Sequence, residues 1–270
     1  MKNFFGRIKW TVLGLCAVQV LSCSKAIEPS EGSIGVQTSN DLTFPVTNEF
    51  ADCKLRTIVH ADPYIDEFPP VTGVFTYHNG NPISLVYNHG SGLNHYFFYD
   101  KLNRLREYQV TIAPHVVTEE PWHRYGYNSK NQIVVDTTLF LYGRKENGEL
   151  IIGRMHVSTL TYDTLGRIIK ESIRDVTGSN PVRNPTYTYD VRGNLGVLGW
   201  KSSSYDNKVS LFRSHPVFQF IHRNYSRNNA APQPQYNSKG LPLSMTPSND
   251  HFFNAYTYNG GVTKIYYDCK

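Results

Sequence analysis

One short unit recurs seven times along this chain, and a chain that repeats a turn can fold only into what repeated turns permit. The unit reads aromatic or aliphatic, any residue, Tyr, Asp/Asn/His, two variable residues, Gly/Asn, a polar residue, then an aliphatic. Its clearest copies are Leu160-Thr-Tyr-Asp-Thr-Leu-Gly-Arg-Ile168, Tyr187-Thr-Tyr-Asp-Val-Arg-Gly-Asn-Leu195 and Phe97-Phe-Tyr-Asp-Lys-Leu-Asn-Arg-Leu105. Looser copies start at Tyr125, Phe75, Gln235 and Tyr256. The key tyrosines, Tyr77, Tyr99, Tyr127, Tyr162, Tyr189, Tyr236 and Tyr258, lie 22, 28, 35, 27, 47 and 22 residues apart. Such spacing fits a hairpin plus its return strand, with loops of varying length.

The residue types explain the recurrence. An Asp or Asn side chain bonds the backbone two residues on and so starts a turn. The exchange of Gly166, Gly193 and Gly240 for Asn103 and Asn131 marks one position of positive φ, because Gly and Asn tolerate a left-handed backbone best. A type I turn closed by such a residue is a common hairpin loop. Residues two apart on the incoming strand, such as Tyr187 and Tyr189, project from one face, which should be the packed one. The 19 Tyr, 14 Phe, 20 Gly and 15 Pro favour strands and turns over helices. The expected fold is therefore all-β: an antiparallel meander of tandem β-hairpins forming a strongly twisted or curled sheet.

One short helical insertion interrupts it. Within the widest gap, Ser214 to Asn224 carries an N-cap candidate, Ser214, a proline near the first turn and the apolar Val217, Phe218, Phe220 and Ile221. That apolar side is expected to plug an open end of the sheet. Residues 205–229 as a whole either cap the fold or mark a site.

The pattern Tyr-Asp-x-x-Gly-Arg-Leu/Ile, plainest at Tyr162 to Ile168, resembles the YD repeat of RHS and teneurin proteins, over about Gly73 to Ile265. In large members of that family the repeats wind a sheet into a hollow shell around a toxin. This chain has too few repeats to enclose anything and no Asp-Pro-x-Gly-Leu motif near its C-terminus. It resembles instead the short YD-repeat lipoproteins of Bacteroidota, a likeness that implies no particular activity.

The N-terminus reads as an address. Basic residues up to Lys9 precede the apolar run Trp10 to Leu21, too short to span a bilayer comfortably, and then Ser22 and Cys23. Val20-Leu21-Ser22-Cys23 resembles the bacterial lipobox, in which the cysteine becomes the lipidated first residue; the alternative is an ordinary signal with an incidental Cys. On this reading residues 1–22 are a lipoprotein signal peptide, 23–49 a flexible tether and 50–270 the YD-repeat β domain. A tether of that length reaches roughly 25 to 30 Å. The expected location is the bacterial outer membrane, anchored through the lipid on Cys23. Glu28 and Glu31 are too few to choose between the periplasmic and the external face. Losing Lys2, Arg7 and Lys9 lowers the formal charge from +5 to +2. With no basic stripe, nucleic acid is not an expected partner.

Cys53 and Cys269 remain for the folded body. An exported chain meets an oxidising compartment, and the ends of a domain often lie close together, so a Cys53–Cys269 disulfide is expected; the alternative is two buried thiols.

No residue pattern points to chemistry. The ten histidines have no metal-ligand spacing, His215 and His222 being seven apart, and no nucleophile elbow or phosphate loop occurs. Asp62, Asp66 and Glu67 form the one tight acidic group, which reads as a solvated turn. Trp122 and Trp200, in Pro/His-rich and Gly-rich stretches, are the candidate ligand contacts, because exposed aromatic faces suit sugars and protein surfaces. No catalytic residue, cofactor or metal is expected. The leading expectation is a non-catalytic envelope protein that binds or scaffolds an envelope protein or glycan. The alternative is a glycan-active or other hydrolase with its site on the long inter-repeat loops. A pocket with convergent carboxylates or a histidine would favour the enzyme; an exposed aromatic patch would favour the binding module.

Overall fold

The computed structural model describes residues 52–61, 70–88, 93–118, 120–178, 180–196, 205–230, 235–245 and 262–270. The expected signal peptide, Cys23, the expected tether, the Asp62 to Glu67 group, Trp200 and the Tyr258 copy lie outside the described residues.

Eleven strands form one open antiparallel sheet. Nine follow in sequence: β1 Cys53–Ala61, β2 Val71–His78, β3 Asn81–Tyr87, β4 Asn94–Tyr99, β5 Leu105–Thr111, β6 Trp122–Tyr127, β7 Ile133–Arg144, β8 Leu150–Tyr162 and β9 Ile168–Asp175. Each pairs with the next, as tandem hairpins must. Two small pairs stand apart, β10 Thr188–Tyr189 with β11 Leu195–Gly196, and β12 Tyr205–Val209 with β13 Asn228–Ala230. The last two strands, β14 Ser244–Met245 and β15 Val262–Cys269, return to the far side and add to β1. There Cys53 stands opposite Cys269 and is disulfide-bonded to it, with an S–S distance of 2.05 Å.

The turns are built alike. Asp100 Oδ1 accepts from the Leu102 and Arg104 amides, both at 2.9 Å, while the Asn103 amide donates to the Asp100 carbonyl. Asp163, Asp190, Asn128 and Asn237 make the same pair of side-chain bonds, to the residues two and four further on. The expected left-handed site holds in all five, with φ of 60° at Asn103, 58° at Asn131, 71° at Gly166, 84° at Gly193 and 78° at Gly240. The Tyr77 copy departs from this. It closes as a two-residue turn in which both Asn79 and Gly80 have positive φ, as type I′ hairpins require. A further turn of the common kind, Lys145 to Glu149 with Gly148 at φ 83°, joins β7 to β8 without a Tyr-Asp pair.

Beside four of these tyrosines the register slips by one residue, between Thr76/Tyr77, Phe98/Tyr99, Gly126/Tyr127 and Thr161/Tyr162. Each slip is a bulge in the outgoing strand. It spaces consecutive inward residues three apart instead of two, as at Leu105 and Tyr108, Ile133 and Asp136, and Ile168 and Glu171.

The tyrosines then tie each hairpin to its neighbour. Tyr127 stands opposite Ile133 in its own hairpin, and its hydroxyl donates to the Leu105 carbonyl of the preceding one at 2.7 Å. Tyr77 donates in the same way to Leu55, Tyr99 to Pro82, Tyr162 to Ile133, Tyr189 to Ile168, Tyr205 to Leu195 and Tyr267 to Pro242, at 2.5 to 3.1 Å. The motif arginine adds a second tie. Arg104 and Arg167 bond the turn aspartate through Nε, and their guanidinium groups lie 4.4 and 4.0 Å from the ring centroids of Tyr127 and Tyr189 in the next unit.

The insertion packs on the inner face. A 3₁₀ turn, Leu211–Ser214, leads into helix α1, Pro216–His222, whose cap is His215 and not Ser214: the imidazole accepts from the Val217 amide at 3.2 Å. Pro216 takes the first helical position. Phe218 meets Phe75 of β2 and Phe97 of β4, and Phe220 meets Tyr125 of β6. Strands seven intervals apart in a flat sheet are separated by roughly 34 Å, and a helix of this length spans about 10 Å. Yet Phe218 touches β2 while Arg223, just past the helix, approaches Glu171 of β9 at 3.7 Å. The sheet must therefore curl around α1.

Replacing Tyr162 by Phe removes one hydroxyl and leaves the Ile133 carbonyl without that donor. The expected loss is about 1 to 2 kcal/mol of unfolding free energy with an unchanged denaturant slope. An unaltered urea midpoint would show that the tyrosine ties carry no stability.

Candidate functional site

Beyond the C-terminal end of α1 the inner face changes character. Tyr108 belongs to the core cluster that includes Phe97 and Phe218, but its equivalents in the two following hairpins carry charge. Asp136 and Glu171 stand nine residues after Tyr127 and Tyr162, as Tyr108 does after Tyr99, and all three point inward because of the bulges. Cross-strand pairing sets out two rungs. One runs Tyr108, His123, Thr138, His156, Asp175 across β5 to β9; the next runs Tyr125, Asp136, Ser158, Ile173 and on to Arg183, which is hydrogen-bonded through its backbone to the β9 edge. They floor a cavity of about 250 Å³, walled on its helix side by Ile221 and Arg223.

The buried groups in it are tied together. Asp136 bonds His123 Nδ1 at 3.0 Å and the Arg223 guanidinium at 2.6 Å. Arg223 also approaches Glu171, whose other oxygen accepts from the Tyr187 hydroxyl at 3.1 Å. Burial alone would raise the Asp136 pKa, but His123 and Arg223 outweigh it and hold the carboxyl below its ordinary range. Arg223 sits at the C-terminus of α1 with φ 52°, so the helix end aims the guanidinium into the sheet. Deeper under the helix, burial lowers His95 and His215 to about 3 and His222 to about 4, so these three stay neutral.

Trp122 is not at this site. It is 1% exposed and packs on the opposite face with Leu139 and Leu141 in a second small core, beneath Val117 and His115 of the loop after β5. The expected ligand contact is thus a core residue: its neighbour on the chain, His123, faces the cavity, and strand alternation turns Trp122 away. The cavity residues were not legible as a group, since Asp136 and Glu171 lie 35 residues apart in the sequence. A signal was nonetheless present. Aligning the repeats on their tyrosines shows an acid at a position that in the other copies carries an aromatic or aliphatic residue.

Comparison by sequence finds no matching family model and no matching curated protein. Among solved structures the likeness is weak. A TcdB2-TccC3 complex without its hypervariable C-terminal region is 15% identical with a TM-score of 0.30, over 66% of this chain and 9% of that one. A TcdB2-TccC3-TEV structure and a Photorhabdus luminescens Tc holotoxin pore with a mutated TccC3 are each 14% identical, over 65% of this chain and 9% of theirs, with TM-scores of 0.30 and 0.29. TccC3 is an RHS/YD-repeat protein. This chain spans about a tenth of the length of those it matches.

Truncating Arg223 to Leu strands Asp136 and Glu171 beside a lost cation. A cost of about 3 kcal/mol is expected from a buried pair broken on one side. Pairing the change with Asp136→Asn should restore part of it, and a double-mutant cycle in urea measures the coupling. A coupling near zero would remove Arg223 from the heart of the network.

Proposed function

We propose that the chain is a non-catalytic, lipid-anchored binding protein of the bacterial envelope whose ligand enters the cavity over β6 to β9. The observation that carries this reading is the state of the carboxylates in the cavity. Asp136 is held ionised by His123 and Arg223, and Glu171 is engaged by Arg223 and Tyr187. A fixed, internally neutralised network on a rigid floor presents hydrogen-bonding groups at little reorganisation cost, as a binding site requires. The repeats supply the scaffold, and the Val20 to Cys23 motif supplies the anchor.

A hydrolase is the second reading, favoured by the convergence of Asp136, Glu171, His123 and His156 on one cavity. Glycoside hydrolysis by a carboxyl pair needs one member protonated near neutral pH. Asp136 is shifted the opposite way and so does not serve as that acid, and among the described residues no hydroxyl or thiol bonds His123 Nε2 to be activated as a nucleophile.

Changing Cys23 to Ser should move the protein from the membrane fraction to the soluble envelope fraction, read by immunoblot; retention in the membrane would remove the lipid anchor. Screening the purified chain against envelope glycan and peptide fragments by thermal shift should yield ligands that raise Tm and are recovered unchanged. Ile173→Trp, which fills the cavity, should abolish the shift. Turnover of a ligand would replace this reading with the enzyme, and a shift insensitive to Ile173→Trp would place binding elsewhere.

A further inference from the structure

A second cavity, of about 300 Å³, adjoins the first and shares His156, Ile173 and Arg183 with it; Arg154, Asp175 and Asn180 complete its wall. Its charges are unevenly satisfied. Asp175 accepts from the Thr177 and Gly178 amides at 3.2 and 2.9 Å and from Asn180 at 2.6 Å, with His156 at 3.9 Å, and these donors hold its carboxyl below the ordinary range. With Asp136 and Glu171 already engaged, each carboxylate of the joined cavities has its donors. The cations do not balance. Arg223 is consumed at the back, whereas Arg154 and Arg183, both exposed, have no carboxylate partner among the described residues. Arg154 lies over the Phe140 ring, 5.2 Å from its centroid, and Arg183 exchanges two backbone bonds with Ile173, so both stems are placed. Two exposed arginines thus line one cavity together with His156, and the adjoining cavity carries the Thr138 and Ser158 hydroxyls.

Guanidinium groups recognise oxyanions in preference to other acceptors, through paired and charge-assisted hydrogen bonds. We infer that the joined cavities take a small polyhydroxylated anion, a sugar unit bearing a carboxylate or a phosphate, with its anionic group at Arg154 and Arg183 and its hydroxyls over Thr138 and Ser158. This rests on the reading that the cavity is a ligand site, and it names the class of ligand. A single sugar ring fits cavities of this size, and the floor hydroxyls suit a ring more than a bare ion.

Calorimetric titration of the full chain in detergent tests it with four probes: glucuronate, glucose 6-phosphate, glucose and inorganic phosphate. At least one of the first two should bind tenfold or more tightly than glucose and than phosphate, the stronger of them identifying the anion. Arg183→Gln and Arg154→Gln, at exposed positions that the sheet does not need, should each cost tenfold or more for that probe and leave the melting curve of the unliganded protein unchanged. Equal affinity for glucose would overturn the anionic requirement, and equal affinity for inorganic phosphate would overturn the sugar. Absence of binding by all four overturns the inference. A neutral ligand from the thermal screen that Ile173→Trp abolishes would then show that the cavity binds and only its assigned chemistry is wrong.

Discussion

A tyrosine hydroxyl reaching the backbone carbonyl of the preceding hairpin is the contact on which the rest of this structure depends. Each such tyrosine up to Tyr189 also stands across a strand pair from the residue whose carbonyl serves the next one. Tyr267 pairs with Leu55, Leu55 accepts from Tyr77, Tyr77 pairs with Pro82, Pro82 accepts from Tyr99, and the alternation continues through Leu105, Ile133, Ile168 and Leu195 to Tyr205. The spine does not stop at the edge of the large sheet. It carries on into the β10–β11 pair and to β12, which are not strands of that sheet. Each link is worth only about 1 kcal/mol net, but each fixes the offset between neighbouring units, and a one-residue slip would turn inward side chains outward.

The same geometry makes a site possible. A regular hairpin would alternate its inward residues strictly, whereas the bulge beside the tyrosine inserts a residue and bends the strand. Two results follow from that one irregularity. The sheet curls far enough for a helix of two turns to meet strands from β2 to β9, and the position three beyond the buried aliphatic turns inward. When that position carries Tyr108 it packs; when it carries Asp136 or Glu171 it builds a charged floor. The transition from core to site therefore takes place along a series of equivalent positions and requires no new element.

The turns were legible because each is encoded within seven adjacent residues, Asp or Asn setting the side-chain bonds and Gly or Asn accepting the positive φ. The helix was legible for a related reason, its apolar face and first-turn proline being local, although the cap fell one residue later because Ser214 closes the 3₁₀ turn and the extended His215 offers its imidazole. The bulges were not legible: no residue type demands one, and they follow from how a closed turn meets a tyrosine bound to the next strand over. Trp122 was misread through tertiary context alone. Nothing near Trp122 in sequence says that the loop carrying His115 and Val117 folds back over it. The site itself depends on pairings between strands far apart in the chain, so it could be seen only as an exception within the repeat.

The covalent link between Cys53 and Cys269 joins the first of the described strands to the last. Tension applied between residues 52 and 270 would arrive at a sulfur–sulfur bond before it reached any hairpin. Mechanically the repeats form a loop in parallel with a short strut, and the strut takes the load. In an oxidising compartment, a pull on the two ends would leave the curl and its cavity unstretched; once the bond is reduced, the same pull would peel β15 from β1 one hydrogen bond at a time.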